Sequence, residues 1–218
     1  MENLHKKDRC VIVCASPDCD DSYLEKEIDI EKDFIICADG GMKHLKNAGF
    51  TPGVWIGDFD SWQGEVKSNK SQIVRLNPEK DDTDTISCVN KAYELGYKKI
   101  ILLCALGGRI DHTFANLSVL LYGLERDLDV SIITPTEEIK ALKEGEYLIE
   151  NQKGKTFSVF AFCCDTADVS YEGAKYPLNH YRMKAAYPIG ISNIFTENKA
   201  IIKIHSGTVL YVRNKYEI

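Results

Sequence analysis

Two hydrophobic periods alternate along the first 135 residues, and this constrains the chain more than any single motif does. "CVIVCAS" (10–16), "FIICADGG" (34–41) and "KKIILLCALGG" (98–108) are short apolar runs closed by small or polar residues. Runs of that kind suit parallel strands buried on both faces. Between them, "GMKHLKNAGF" (41–50) reads as a short helix and "SQIVRLN" (71–77) as a further strand. "DDTDTISCVNKAYELGY" (81–97) spaces Ile86, Val89, Ala92, Tyr93 and Leu95 as a helix does, with Gly96 as its stop. "DHTFANLSVLLYGLE" (111–125) sets Phe114, Leu117, Leu120, Leu121 and Leu124 on one helical stripe, and "DVSIIT" closes the series. Strands alternating with helices predict an α/β domain with a parallel sheet over residues 1–135.

The pattern then changes. From 136 to 218 the sequence predicts a smaller antiparallel β domain, with strands at "KTFSVFAF" and "ADVSYEG". "AIIKIHSGTVLYVRN" (200–214) reads as a hairpin turning at Ser206-Gly207. A β domain of that size is marginal alone and is expected to lean on a partner surface.

Polar clusters follow the apolar runs of the first domain: "ADGG" (38–41), "GDFDS" (57–61), "KDDTD" (80–84) and "GGRIDH" (107–112). In open α/β sheets, ligands bind beyond the carboxyl ends of the strands. Together the clusters hold Asp39, Asp58, Asp60, Asp81, Asp82, Asp84 and Asp111. In an extended "GDFDS", Asp58 and Asp60 point to the same side and repel each other unless a cation sits between them. Such a rim is a poor anion site by itself and a good one with Mg²⁺, which takes carboxylate oxygens and completes its shell with water and substrate phosphate. The glycine pairs allow backbone N–H groups to approach phosphate, and Arg109 can fork onto it. Plainer roles exist for single residues: Asp81 or Asp82 can cap the helix that follows, and Asp111 the next one. An EF-hand loop is excluded, because Trp62 and Gln63 stand where that loop needs Asp or Asn and Gly.

The totals exclude other classes. A formal charge of −6 argues against a nucleic-acid surface, and no apolar run approaches the roughly 18–20 residues that span a bilayer. The basic start "MENLHKKDRC" leads only to "VIVCA", too short for a signal-peptide core, so a cytoplasmic location is expected. The 8 cysteines include no CxxC pair and are expected to be free thiols packed as small hydrophobes, with neither zinc nor disulfides.

Taken in series, "ADGG", "GDFDS", "KDDTD" and "GGRIDHTFANL", followed by "YPL" (176–178) and "GISN" (190–193), resemble the thiamine pyrophosphokinase family from about residue 38 to the end. The resemblance implies transfer of a pyrophosphoryl group from ATP to the hydroxyl of thiamine, with Mg²⁺ as cofactor. It implies an ATP- and Mg-binding α/β domain over 1–135, a thiamine-binding β-sandwich over 136–218, and a homodimer with active sites at the subunit interface. By motif, Asp58, Asp60 and Asp84 are the expected Mg²⁺ ligands and, with Arg109 and Asp111, the catalytic set. Asp39, Gly40, Gly41, Lys80, Asp81, Thr83, Gly107, Gly108, His112 and Asn116 are expected to line nucleotide and substrate. Ser192 and Asn193 would hold the pyrimidine of thiamine. Both tryptophans, Trp55 and Trp62, precede the β domain, which leaves Phe195, Tyr187 or Tyr211 to stack on the substrate. Two other readings fit part of the chain. A phosphohydrolase of the haloacid-dehalogenase type would phosphorylate Asp58 of "DFD", and a nucleotide-binding regulator would bind without turnover.

Overall fold

The computed structural model describes residues 7–60, 66, 69–77 and 82–217. The chain divides into two compact units, Met1–Pro135 and Thr136–Ile218. In the first, the strands are β1 (Arg9–Val13), β2 (Asp33–Ala38), β3 (Val54–Gly57), β4 (Gln72–Arg75), β5 (Lys99–Leu103) and β6 (Asp129–Ile133). Helices α1 (Leu24–Glu27), α2 (Met42–Asn47), α3 (Asp84–Glu94) and α4 (Ile110–Leu124) fall between them. The strands lie in the order β6-β5-β1-β2-β3-β4, and every neighbouring pair in that series is parallel. All their carboxyl ends therefore share one edge.

Alternate residues of the central strands serve opposite faces. Val11, Val13, Ile35, Cys37, Ile101 and Leu103 pack with Leu24, Met42 and Leu45 on one side. Cys10, Ile12, Ile36, Ile100 and Leu102 are also almost wholly buried. Each such aliphatic side chain contributes about 1.5–3 kcal/mol by leaving water. Burial also pushes the Cys14 thiol up to about 12, and raises Cys10, Cys37 and Cys88 too, so these stay protonated packing groups.

Both long helices bury only part of the stripe their apolar residues suggest, Val89 and Ala92 on α3 and Leu120 on α4. On α3, Thr85, Cys88, Val89 and Ala92 are buried, while Tyr93 and Leu95 are exposed. On α4, Val119, Leu120 and Gly123 are buried and Phe114 is 63% exposed. Small residues let these helices lie close to the sheet, so Thr and Gly outrank larger apolar side chains at the contact. The cysteine expectation also needs correction, because Cys19 and Cys104 form a disulfide. Cys19 follows β1 and Cys104 comes directly after β5, and the two strands are neighbours. Their separation of 85 residues hides a proximity that topology creates.

The second unit contains β7 (Glu137–Leu142), β8 (Gly145–Glu150), β9 (Lys155–Ala161), β10 (Thr166–Glu172), β11 (Leu178–Lys184), β12 (Asn193–Ile194), β13 (Lys199–Ser206) and β14 (Val209–Glu217). They form two antiparallel layers, β12-β9-β14-β7 and β11-β10-β13-β8. Phe157, Val159, Val209 and Tyr211 from the first meet Val169, Met183, Ile202 and Ile204 from the second in one core, which makes a β-sandwich. The hairpin expected at Ser206-Gly207 is therefore a corner. β13 pairs with β8 and β10, whereas β14 pairs with β7 and β9, so the chain changes layers there. Gly207 makes the corner at φ +80, where a Cβ would stand 2.7 Å from the Thr166 carbonyl oxygen.

One ion pair closes the amino end of the parallel sheet. Arg9 donates from Nε to Asp33 Oδ1 at 2.5 Å and from Nη2 to Oδ2 at 2.9 Å, and the Asp33 side chain has no solvent exposure. The Asp29 amide adds a third bond at 2.8 Å. Arg9→Met leaves a buried carboxylate without its cation and is expected to cost about 3–5 kcal/mol in urea unfolding. Adding Asp33→Leu removes the stranded charge and should restore most of that loss. A double variant no better than the single would contradict this account.

Candidate active site

The carboxyl edge of the parallel sheet gathers acids because three successive connections leave it there. Asp39 follows β2 and takes φ +39, with its carbonyl accepting from Trp55 Nε1 at 2.9 Å and its Oδ1 from the Phe59 amide at 3.2 Å. The carboxylate lies directly over β3. A Cβ on Gly57 would stand 2.6 Å from Asp39 Oδ1, so only glycine admits that approach. Past Gly57 the chain does not stay extended. Phe59 turns inward at φ +63, packs edge-on against Trp55 at 4.8 Å, and the Asp60 amide donates to Asp58 Oδ1 at 3.1 Å. A tight side-chain turn, rather than strand alternation, thus brings Asp58 and Asp60 together.

The result is a group of Asp39, Asp58 and Asp60, each offering an oxygen within 4.8 Å of the others. Asp39, read from its motif as a substrate contact, belongs to this group. Asp84, read as the third ligand, begins α3 and is partly buried. An all-carboxylate donor set fits a hard divalent cation that keeps some of its shell for water or phosphate. Arg75 of β4 brings a positive charge nearby, with its guanidinium 5.1 Å from the Phe59 ring.

The other expected site residues divide by what already occupies them. Thr83 caps α3 through Oγ1, which accepts the Ile86 amide at 3.2 Å, so the cap is not Asp82. Lys80 and Asp81 lie outside the described residues. Gly40 is half-buried and Gly41 fully buried below Asp39. In the β5–α4 connection the Gly107 amide donates to Thr113 Oγ1 at 3.1 Å and the Gly108 amide to Asp18 Oδ2 at 2.5 Å. Asn116 Nδ2 donates to the Ala105 carbonyl at 2.7 Å. These three groups hold the loop in shape. Arg109 and Asp111 stay exposed and pair through 2.6 and 3.1 Å bonds, and that guanidinium holds the Asp111 carboxyl below the usual carboxylate range. His112 is exposed beside them.

Sequence reading passed over the β1 connection, "ASPDCDD". Its Asp18 anchors Gly108, and its Ser16 Oγ donates to the Leu106 carbonyl at 2.6 Å. The signal was available, because this cluster also follows an apolar strand.

In the sandwich, Ser192 is exposed at φ +56 with its amide on Ser158 Oγ at 3.0 Å. Asn193 is 6% exposed and spends its side chain on Tyr176, accepting from its amide at 3.0 Å and donating to its carbonyl at 2.8 Å. It positions the "YPL" segment instead of presenting a free amide. Phe195 and Tyr211 are buried in the sandwich core, Phe195 stacked on Phe157 at 4.3 Å, whereas Tyr187 is 63% exposed. Of the three aromatic candidates only Tyr187 can meet a ligand.

Both units match known sequence families. Residues 26–132 match the catalytic domain of thiamin pyrophosphokinase, and residues 144–209 match the vitamin B1 binding domain of thiamin pyrophosphokinase. A thiamine pyrophosphokinase of Bacillus subtilis is 28% identical over 187 residues, spanning 82% of this chain and 86% of its own. Thiamin pyrophosphokinase 1 of Caenorhabditis elegans is 24% identical over 191 residues, spanning 82% and 78%. Among solved structures, the Bacillus subtilis enzyme superposes with a TM-score of 0.83 at 25% identity, over 95% of this chain and 99% of that one. The yeast enzyme shares the fold, with a TM-score of 0.78 at 20% identity over 97% and 87%.

Proposed function

The chain belongs to the thiamin pyrophosphokinase family, and on that premise we propose that it transfers the pyrophosphoryl group of ATP to the hydroxyl of thiamine, giving thiamine diphosphate and AMP. The observation that carries this reading is the three-carboxylate group of Asp39, Asp58 and Asp60 at the carboxyl edge of the sheet. Simple nucleotide binding would favour Lys and Arg there, not converging acids. A haloacid-dehalogenase reading would need Asp58 alone as nucleophile, and it leaves Asp39 and the matched sandwich without a role.

The balance of the step is simple. The thiamine hydroxyl oxygen bonds to the β-phosphorus, the bond from that phosphorus to the α,β-bridging oxygen breaks, and AMP leaves with that oxygen. Transfer of this kind depends on positioning and charge stabilisation more than on covalent help. Magnesium held by Asp39, Asp58 and Asp60, with Asp84 assigned by the family motif, would neutralise phosphate charge. Arg109 presents its fork at the same edge, and its exposure leaves it available to a phosphate. Asp84 or Asp111 would accept the hydroxyl proton late in the step, and pairing with Arg109 makes Asp111 a weaker base than a free carboxylate. Ser192 and Tyr187 of the sandwich supply the exposed polar and aromatic groups for thiamine.

Incubating the protein with Mg-ATP and thiamine should yield AMP and thiamine diphosphate in equal amounts, read by chromatography. ADP with thiamine monophosphate would overturn the assignment, and inorganic phosphate alone would favour the hydrolase.

We further propose a homodimer in which each site takes its acids from one chain and its thiamine contacts from the other. The division of labour between the units supports this, as an isologous pair permits it. Asp60→Ala removes the acids' function, and Ser192→Arg sets bulk where the pyrimidine would sit and positive charge beside a cationic substrate, so each homodimer should be nearly inactive. Co-refolded in equal amounts, about half the dimers are mixed and each regains one intact site, giving about a quarter of wild-type turnover. No recovery from verified mixed dimers would show that each site is built within one chain.

A further inference from the structure

The β11-β10-β13-β8 layer of the sandwich carries a second group of ligand-type side chains, chemically unlike the acid rim. Asp168 on β10, His180 on β11 and His205 on β13 each offer a ligand atom within 4.8 Å of the others. They converge because of two irregularities in the sheet. Between Val169 and Tyr171 the β11 partner jumps from Tyr181 to Leu178, so Asn179 and His180 together face one residue of β10, and His180 takes φ +46. Between Asp168 and Val169 the β13 partner jumps from Ser206 to Ile204, which makes His205 the extra residue. Bulges re-aim side chains, and here two of them, on the two neighbours of β10, turn two imidazoles over the same point.

The contacts inside the group fit a shared ligand better than mutual pairing. The two rings lie together, with centroids 3.7 Å apart. His180 Nδ1 stands 3.3 Å from Asp168 Oδ1, near enough for an ion pair, yet Oδ1 is shielded from solvent and accepts no hydrogen bond. Nitrogen and oxygen are close without being aligned. Two ligands about 2.0–2.1 Å from a tetrahedral zinc ion stand ~3.4 Å apart, which matches this spacing. Ser170 Oγ supports both histidines, accepting the His180 amide at 3.0 Å and lying 2.8 Å from His205 Nε2. If Nε2–H donates to that hydroxyl, the Nδ1 lone pair is left for a cation, as in metal sites whose ligand histidines are fixed from behind. A hollow of about 510 Å³, bordered by His180, His205, Glu172 and Lys203, leaves room for water as a further ligand.

We propose that Asp168, His180 and His205 bind a divalent transition-metal ion of the zinc class, separate from the acid rim. Two imidazoles and one carboxylate prefer such ions over magnesium, which favours oxygen alone. By tying β10, β11 and β13 together, the ion stiffens that layer of the sandwich.

The test uses the full chain, stripped of metal, titrated with zinc chloride alone against a chromophoric chelator. Wild-type protein should take up zinc at this site, and saturating zinc should raise its melting midpoint by about 3 °C or more. His180→Asn, a residue that tolerates positive φ, and His205→Gln should each weaken uptake at least about tenfold and abolish the shift. Asp60→Asn, which alters only the acid rim, should retain both. Failure of wild-type protein to take up zinc would overturn the proposal, as would uptake unchanged in both histidine variants. Uptake lost in Asp60→Asn would do the same, by assigning the zinc to the acid rim.

Discussion

Three carboxylates forced into one small space define this molecule's chemistry. Each pair repels by about 1 kcal/mol in bulk water and by several times that where protein displaces solvent. Asp39, Asp58 and Asp60 nevertheless keep their oxygens within 4.8 Å. The backbone holds them there. The Phe59 amide fixes Asp39, the Asp58 side chain takes the Asp60 amide, and Gly57 leaves the gap into which Asp39 fits. Phe59 secures the turn from below by packing on Trp55. The cation proposed for this rim would offset that cost.

The two units answer different physical demands. A parallel sheet buried on both faces puts every strand's carboxyl end on one edge, which is how loops distant in sequence come to share a rim. The loops then brace one another: Ser16 and Asp18 after β1 hold the β5 connection that carries Arg109 and Asp111. The sandwich instead builds exposed polar groups on a core of Phe157, Phe195 and Tyr211. Asn193 spends its amide on Tyr176 and so ties the "YPL" and "GISN" segments to each other. Among the described residues no helix is long and apolar enough to cross a membrane.

The α/β architecture and the all-β second unit were legible because period and run length are local properties. The strands "RCVIV", "DFIICA" and "KIILL" announce themselves by continuous burial. What was not legible depended on distance. Nothing in "HSGTV" distinguishes a hairpin from a corner, since the difference lies in which strands β13 and β14 pair with. Cys19 meets Cys104 only because β1 and β5 are neighbours. The acids were legible by type and motif, and so was the approach of Asp58 to Asp60; that Asp39 joins them, and that a positive φ at Phe59 rather than an extended backbone makes the turn, was not. Asn193 was read as a ligand contact from its motif, and burial gives its amide to the backbone instead. The histidines at 180 and 205 carried no signal at all, because bulges bring them together.

The central claim is that the acidic rim is a cation site whose strain the cation relieves. Its most direct measurement is the thermal midpoint of wild-type protein and Asp60→Asn, each with and without millimolar Mg²⁺ and with no nucleotide. Without divalent cations the variant should melt at or above wild type, because one of three like charges is gone. Adding Mg²⁺ should raise the wild-type midpoint and leave that of the variant nearly unchanged. A variant that melts clearly below wild type in both conditions, with the same Mg²⁺ response, would make Asp60 a structural turn residue and contradict the account.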